Sequence, residues 1–547
     1  METVAVPVDA ERPRARSIRE LLRAPALWLS LASLAVSLRL LQWARLDLVM
    51  DDSFIYFRYA RNLARGFGPV FNPGERVEGY TSFLWIALLA VGDFFGIDLS
   101  LFAGLLNLAA TLGTIWLLYR FTRLLAPAAS RWVWLLPSLI FSVGATQARY
   151  VGAGMETPIY VLLVAWSVYL YLAGKAPRWV GLAFSLTTLM RPEAVLYLTV
   201  VLLYELVAGE GESFGQRFRR AFSIGLWWAA VYLPYFGLRW AYYGYFLPNT
   251  FYAKVGSAGS TLLARGLKLL AQTTRETSLE LPAALALLGV LFGRGRARFL
   301  AGAMVVVTVA YFLSVGGDFL LLFGPRFLLP AYPALLVLAA LALARLAELP
   351  RPRRLGPALA ATLALALAVN AAWLSWPRGS DRLELLAAVE HGWIEVGRWL
   401  AANSPPDATF AVGAAGAMPF FSDRTTIDML GLNDLHIAHR SMPVGWGYPG
   451  HEKFDTGYIL ERKPDFLVFL RLDKQGEPIL IGDWKEYKER VLAAYQVVAL
   501  ALSIPNRKGL PWIVETSEAT PELRAQGYVV AVLKRRDLLE KTPATKP

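Results

Sequence analysis

Two adjacent aspartates, Asp51 and Asp52, open the stretch DDSFIYFRYARNLARG directly after the first long apolar run of the chain. A carboxylate there can take a proton from an attacking hydroxyl, stabilise a developing positive charge or hold a cation. Neighbouring backbone positions point apart, so one aspartate is expected to face a reacting group while the other caps, orients or binds. Three cations recur at the ends of later apolar runs: Arg191 beside Glu193, Arg326 near Asp318, and Lys254 after Asn249. Together with Asp51, Asp52, Glu156 and Asp318 they describe a polar cavity. Its natural ligand is a phosphate, which arginine grips with two donors. For each cation alone, a snorkelling charge or a local ion pair is the competing reading.

The opening stretch also reads as a structural device. Arg58, Arg61 and Arg65 share one helical face, Phe54, Tyr56, Phe57 and Tyr59 supply an apolar body, and Gly66 suits the position after a helix end. That pattern predicts a helix lying in the membrane interface, N-capped by Asp51 or Asp52, with its arginines reaching lipid phosphates. Arg58 is thereby a further candidate for the donor phosphate.

Membrane helices must position these residues. Of 547 residues 56% are hydrophobic and only 18% charged, and mean hydropathy is +0.42, too apolar for a soluble chain of this size. The absence of cysteine excludes disulfides and thiolate metal sites. The net charge of +13 reads as a topology signal rather than as nucleic-acid binding, because Lys and Arg fall in short loops between apolar runs. The basic N-terminus (1–25) stands where a signal peptide would, but the run after it is too long for one and lacks a small-residue cleavage site, so a retained span is expected.

With about 20 apolar residues per crossing, spans are expected at 26–46, 102–120, 131–149, 158–173, 177–190, 193–208, 221–237, 280–293, 298–315, 327–346 and 356–376; either the further apolar segment 83–97 dips in without crossing or one boundary is misplaced, eleven crossings being the expected count and thirteen the alternative. The positive-inside rule puts the six basic loops in the cytoplasm, among them GRGRAR and RPRR. The first outer loop (48–82), YVGAGMETP, MRPEA, RWAYYGYFLPNTFYAK, VGGDFLLLFGPRF and everything after 378 then share the outer side. The expected fold class is mostly α: a polytopic helix bundle of about eleven spans over 26–378, followed by an extracytoplasmic α/β domain over 379–547. Period-two runs such as ATFAVG, RTTIDML, PDFLVFL and QGYVVAVLKR mark its strands. All four histidines lie there, and His436 and His439 with Asp434 make only a weak metal pattern. Trp393, Trp446, Phe420 and Phe421 suit either sugar stacking or a core.

In order along the chain, DDSFIYFRYARNLARGFGPVFNPGERVEGYTSFLW (Asp51–Trp85), GMETPIY, RPEA, YYGYFLPNTFYAK, GGDF…PRFLLP and GAAGAMPFFSDRTTIDMLGLNDLHIA (413–438) resemble the GT-C, or large-C-fold, glycosyltransferases, a family that includes the terminal β-(1→2) arabinofuranosyltransferases. The likeness runs from about residue 45 to 470. It implies a bacterial plasma-membrane enzyme that takes a sugar from a polyprenyl-monophosphate donor, arabinofuranose being one candidate, and passes it to a cell-envelope glycan or glycolipid on the outer face. Asp51 and Asp52 would be catalytic and Arg191, Arg326, Lys254 and Arg58 would hold the donor phosphate. Glu78, Tyr80, Glu156, Glu193, Asn249 and Asp318 would line the cavity. No cofactor is required outright; a divalent cation on Asp51, Asp52 and Glu156 is the candidate. Membrane lipids are the other expected partners, and the protein is expected to be monomeric. If the anomeric configuration is retained, a carboxylate must stabilise a cationic sugar rather than act as base. The rival readings are a transporter or flippase of lipid-linked saccharides, which calls for two pseudo-symmetric halves, and a non-catalytic envelope or flagellar assembly protein.

Overall fold

The structure, a computed structural model, describes residues 49–208, 212–254, 259–277, 279–318, 326–348, 355–375, 380–445, 450–468, 471–472, 478–479, 484–502 and 510–539. The span expected at 26–46, the basic N-terminus, the RPRR loop and Trp446 lie outside these residues.

Most helices begin and end where Pro, Gly and polar residues dictate. Asp98 accepts the Leu101 N–H at 2.9 Å and starts Leu99–Leu125. Thr157–Leu172 follows Glu156 and carries Pro158 in its first turn, where the missing N–H has no partner to lose. Pro177–Met190 stops because the residue before Pro192 is pushed out of the helical region: Arg191 is extended, at φ −153° and ψ 127°. Ala194–Ala208 restarts beyond it. Gly244, at φ +80°, closes the long helix Phe214–Tyr243. Among the described residues Leu99–Leu125, Phe214–Tyr243, Ala297–Ser314 and Arg326–Ala347 are long and apolar enough to cross a membrane, and six further helices are apolar but shorter. The segment at 83–97 is the short helix Phe83–Phe94.

The helical domain departs from expectation in two places. The run expected as one span over 131–149 is two helices, Arg131–Val143 and Ala145–Gly152, because Gly144 is extended at ψ 124°. The stretch 259–277, assigned to no element from sequence, is the helix Gly259–Thr277.

The C-terminal region is the α/β domain expected. Helix Ser380–Asn403 leads into β1 (Thr409–Val412), β2 (Thr425–Asp428) and β3 (Phe466–Val468); β4 (Arg471–Leu472) and β5 (Pro478–Ile479) form a small separate pair; β6 (Tyr495–Leu502), β7 (Ile513–Glu515) and β8 (Tyr528–Arg535) complete the main sheet. Its order is β2-β1-β3-β8-β6-β7, with β1 parallel to β2 and β3 and the remaining pairs antiparallel. Alternation sorts the sheet into two faces. Phe410, Val412, Phe466, Val468, Val530 and Val532 join the large core shared with the helical domain. Ala411, Leu467, Leu500, Ala531 and Leu533 build a second core on the other face. One continuous core thus carries Phe54, Phe57 and Trp85 of the helical domain together with Trp393 and Met418 of the C-terminal domain.

Candidate active site

The opening helix, Asp51–Ala64, is buried, not interfacial. Phe54, Ile55, Tyr56, Phe57, Arg58, Tyr59, Ala60 and Asn62 are all shielded from solvent. Met50 is its N-cap, without a side-chain cap bond, so both aspartates fall in the first turn rather than at the cap. Carboxylates there still complement the positive end of the helix. At the other end Gly66 N–H bonds to Leu63 O and Phe67 N–H to Asn62 O, the paired closure that a glycine in the left-handed region permits.

The arginine face of this helix meets the C-terminal domain. Arg58 donates to Phe71 O, Pro419 O, Arg424 O and the Asn72 side-chain oxygen. Arg61 lies 3.5 Å over the Phe420 ring and donates to Phe420 O, and Arg65 pairs with Asp423 at 2.8 Å. Arg58 is therefore not available to a donor phosphate, which corrects the sequence reading: its donors are consumed by buried acceptors. Phe54, Phe57, Phe420 and Phe421 form a ring cluster at the same junction, and Trp393 is buried beside it, so these aromatics are interface and core.

The junction separates the two aspartates. The Asp51 carboxylate accepts the N–H groups of Gly416 at 3.0 Å and Ala417 at 2.7 Å, across 365 residues of sequence. A Cβ on Gly416 would lie 1.8 Å from Asp51 O, so only glycine allows the approach. Burial pushes the Asp51 carboxyl up to about 7, with the Ala417 N–H working against it and the charge of Asp52 adding to it. Asp52 is different. Its side chain is 40% exposed, and one oxygen stands 3.9 Å from Arg326 Nη1.

The cations predicted from sequence collect behind Asp52. Arg326 is buried, 3.4 Å from Asp318 through Nε, without a well-formed hydrogen bond at that nitrogen. Lys254 ends the short helix Asn249–Lys254; burial and the neighbouring Arg326 push its ammonium down to about 8, while Asp52 and Asp318 pull the other way. Arg191 is paired with both Glu156 and Glu193 and stacked 4.8 Å over Phe327. Gly154, at φ +80°, brings the GMET loop against Ser53 and Phe57, where a Cβ would come within 2.9 Å of the serine hydroxyl.

Three cavity candidates are structural instead. Glu78 is buried in a two-pronged pair with Arg239. Tyr80 is buried and hydrogen-bonds Tyr243 at 3.1 Å. Asn249 uses its amide N–H groups on Gly431 O, Leu432 O and Asp434 O, fastening the helical domain to the C-terminal one. A divalent cation on Asp51, Asp52 and Glu156 does not fit. Asp51 is engaged by backbone N–H groups and Glu156 by Arg191, and among the described residues no cluster of three potential ligands is close enough to hold a metal. His436 instead hydrogen-bonds Asp455 at 2.8 Å and stacks on Tyr458, and His439 stacks on Tyr252.

Sequence reasoning missed Glu390, on helix Ser380–Asn403. Its carboxyl group accepts the Asp51 backbone N–H beside both aspartates. An acid three residues before the buried Trp393, on the inward stripe Val396 and Leu400 extend, was the signal. Asp428, also buried, accepts the N–H groups of Leu430 and Asn433 and shapes the loop facing the opening helix.

This arrangement of helices and sheet has solved counterparts. ArnT from Cupriavidus metallidurans, in a crystal structure bound to undecaprenyl phosphate, superimposes with a TM-score of 0.57 at 14% identity, over 92% of this chain and 98% of that one. The archaeal oligosaccharyltransferase AglB from Archaeoglobus fulgidus, in complex with an inhibitory peptide and a dolichol-phosphate, gives 0.58 at 12% identity, over 95% and 89%. The fold is that of the GT-C glycosyltransferases. Within that GT-C fold, the chain is 32% identical over 293 residues to the terminal β-(1→2)-arabinofuranosyltransferase of Mycobacterium tuberculosis, covering 50% of this chain and 45% of that protein. It thus spans about half the length of the curated relatives it matches. Residues 383–519, most of the C-terminal domain, match a family described as a domain of unknown function, DUF8728.

Proposed function

We propose that this chain is a membrane glycosyltransferase that moves a sugar from a polyprenyl-monophosphate donor to a cell-envelope glycan or glycolipid, with arabinofuranose the candidate sugar. The observation that carries the reading is the half-exposed carboxylate of Asp52 facing Arg326, with Lys254 close by, inside a GT-C fold. Two of its structural counterparts hold a polyprenyl phosphate, and the curated relatives are named for arabinofuranosyl transfer.

In this reading the donor phosphate lies against Lys254 and Arg326, which neutralise its charge as the bond from the anomeric carbon to the phosphate oxygen breaks. Asp52 faces the sugar. It takes the proton of the acceptor hydroxyl or, with retained configuration, stabilises the cationic sugar; the anomeric configuration of the product distinguishes the two. Asp51 supports Asp52 from the N-terminus of helix Ala417–Ser422. The C-terminal domain, on the outer side, covers the acceptor.

The test is transfer from a synthetic short-chain polyprenyl-phosphoryl arabinofuranose by the full chain in detergent. Asp52→Asn should lower the rate by roughly a hundred- to ten-thousand-fold without lowering the melting temperature. Full activity in that variant would remove Asp52 from the chemistry.

A further inference from the structure

The first N–H groups of a helix have no partner within it. At the opening helix this matters, because the two residues there carry the carboxylates of the proposed site and Met50 offers no side-chain cap. The fold supplies other anchors. Met50 N–H bonds to Ala153 O at 3.2 Å, the Ser53 hydroxyl bonds to the same carbonyl, and the Asp51 carboxylate is held by Gly416 and Ala417. Of the first-turn N–H groups, that of Asp51 is taken by Glu390 from the C-terminal domain.

We propose that Glu390 is a further positioning residue of this site: its carboxyl group caps the Asp51 N–H from outside the helical domain and thereby fixes the direction in which Asp52 projects. Its other oxygen, Oε2, is buried and has no hydrogen-bond partner among the described residues. A bare carboxylate oxygen in that position is costly, since a buried charge must be paired or lost. Among the described residues Asp51 and Asp52 are the charged groups that face it, and burial together with their charges holds the Glu390 carboxyl well above the usual carboxylate range. That shift favours the protonated form, in which one oxygen accepts the peptide N–H and the other carries the proton. A glutamine has the same shape, an accepting oxygen and an N–H donor in the proton's place. Alanine has neither, and aspartate is one methylene too short to reach.

This inference deepens the proposed transferase reading, so its test carries one readout independent of turnover. In the full chain in detergent, hydrogen exchange of the Asp51 amide should speed up tenfold or more in Glu390→Ala and Glu390→Asp and stay within about threefold of wild type in Glu390→Gln. With the polyprenyl-phosphoryl arabinofuranose probe, kcat should fall at least tenfold in the alanine and aspartate variants with KM for the donor unchanged, and Glu390→Gln should restore it. Unchanged amide exchange in Glu390→Ala overturns the proposal, as does a Glu390→Gln variant as impaired as Glu390→Ala. A wild-type protein that turns over no such donor, while the exchange pattern holds, overturns the transferase reading and leaves the capping role standing.

Discussion

Arg58 and Arg326 are both buried guanidiniums near the aspartate pair, yet they sit in opposite surroundings. Arg58 has three backbone carbonyls and an amide oxygen at its donors and joins the opening helix to the C-terminal domain. Arg326 faces two carboxylates at 3.4 and 3.9 Å, neither in a tight bond. A guanidinium has five N–H donors. Where neutral carbonyls fill them the group is a fastener; where carboxylates stand loosely beside it, donors remain for another anion. The same residue type, within one surrounding motif set, thus does different work according to what the fold places opposite it.

Substitutions at three positions probe that contrast, beyond the loss expected on removing the Asp52 charge. The largest effect falls on the fastener. Arg58→Met strips several buried acceptors of their donor and should lower stability by about 3 kcal/mol or more, read as a drop in melting temperature, while folded protein keeps its KM for the donor. An altered KM with unchanged stability would place Arg58 on the ligand side. Next comes Lys254, the cation beside Arg326. Lys254→Met should lower kcat/KM roughly ten- to a hundredfold, the contribution of a charged hydrogen bond to phosphate. The lysine is charged below about 8, so donor affinity should decline as pH rises through that value, and Lys254→Arg should move the decline upward. A decline that stays put in Lys254→Arg would assign it to another group. The smallest effect belongs to the exposed pair Arg65–Asp423: Arg65→Ala should change stability by less than about 1 kcal/mol and leave transfer untouched.

Much of the fold was legible because its determinants are local. Apolar length marked most of the helices within a few residues, Pro192 marked the break at Arg191, and alternation marked β1, β2, β3 and β8. The break at Gly144 was not legible, since an isolated glycine in an apolar run is compatible with a continuous helix. Nor was Gly259–Thr277, whose polar face hid it from a search for spans. In the site, the ionisable types at the ends of apolar runs identified Arg326, Lys254, Asp318 and Asp52 as neighbours. They did not reveal that Arg58, Glu78, Tyr80 and Asn249 are engaged elsewhere, because their partners lie far off in sequence or on another element.

The aspartate pair shows where the division lies. The sequence by itself determined that two carboxylates stand at the start of a helix just after an apolar run, because composition and periodicity act over a few residues. Which aspartate points to the cations and which is locked away was decided only when Gly416, Ala417 and Glu390 closed on the opening helix. Those contacts span more than 330 residues, and their geometry is set by the packing of two domains around one core rather than by any property of the dipeptide.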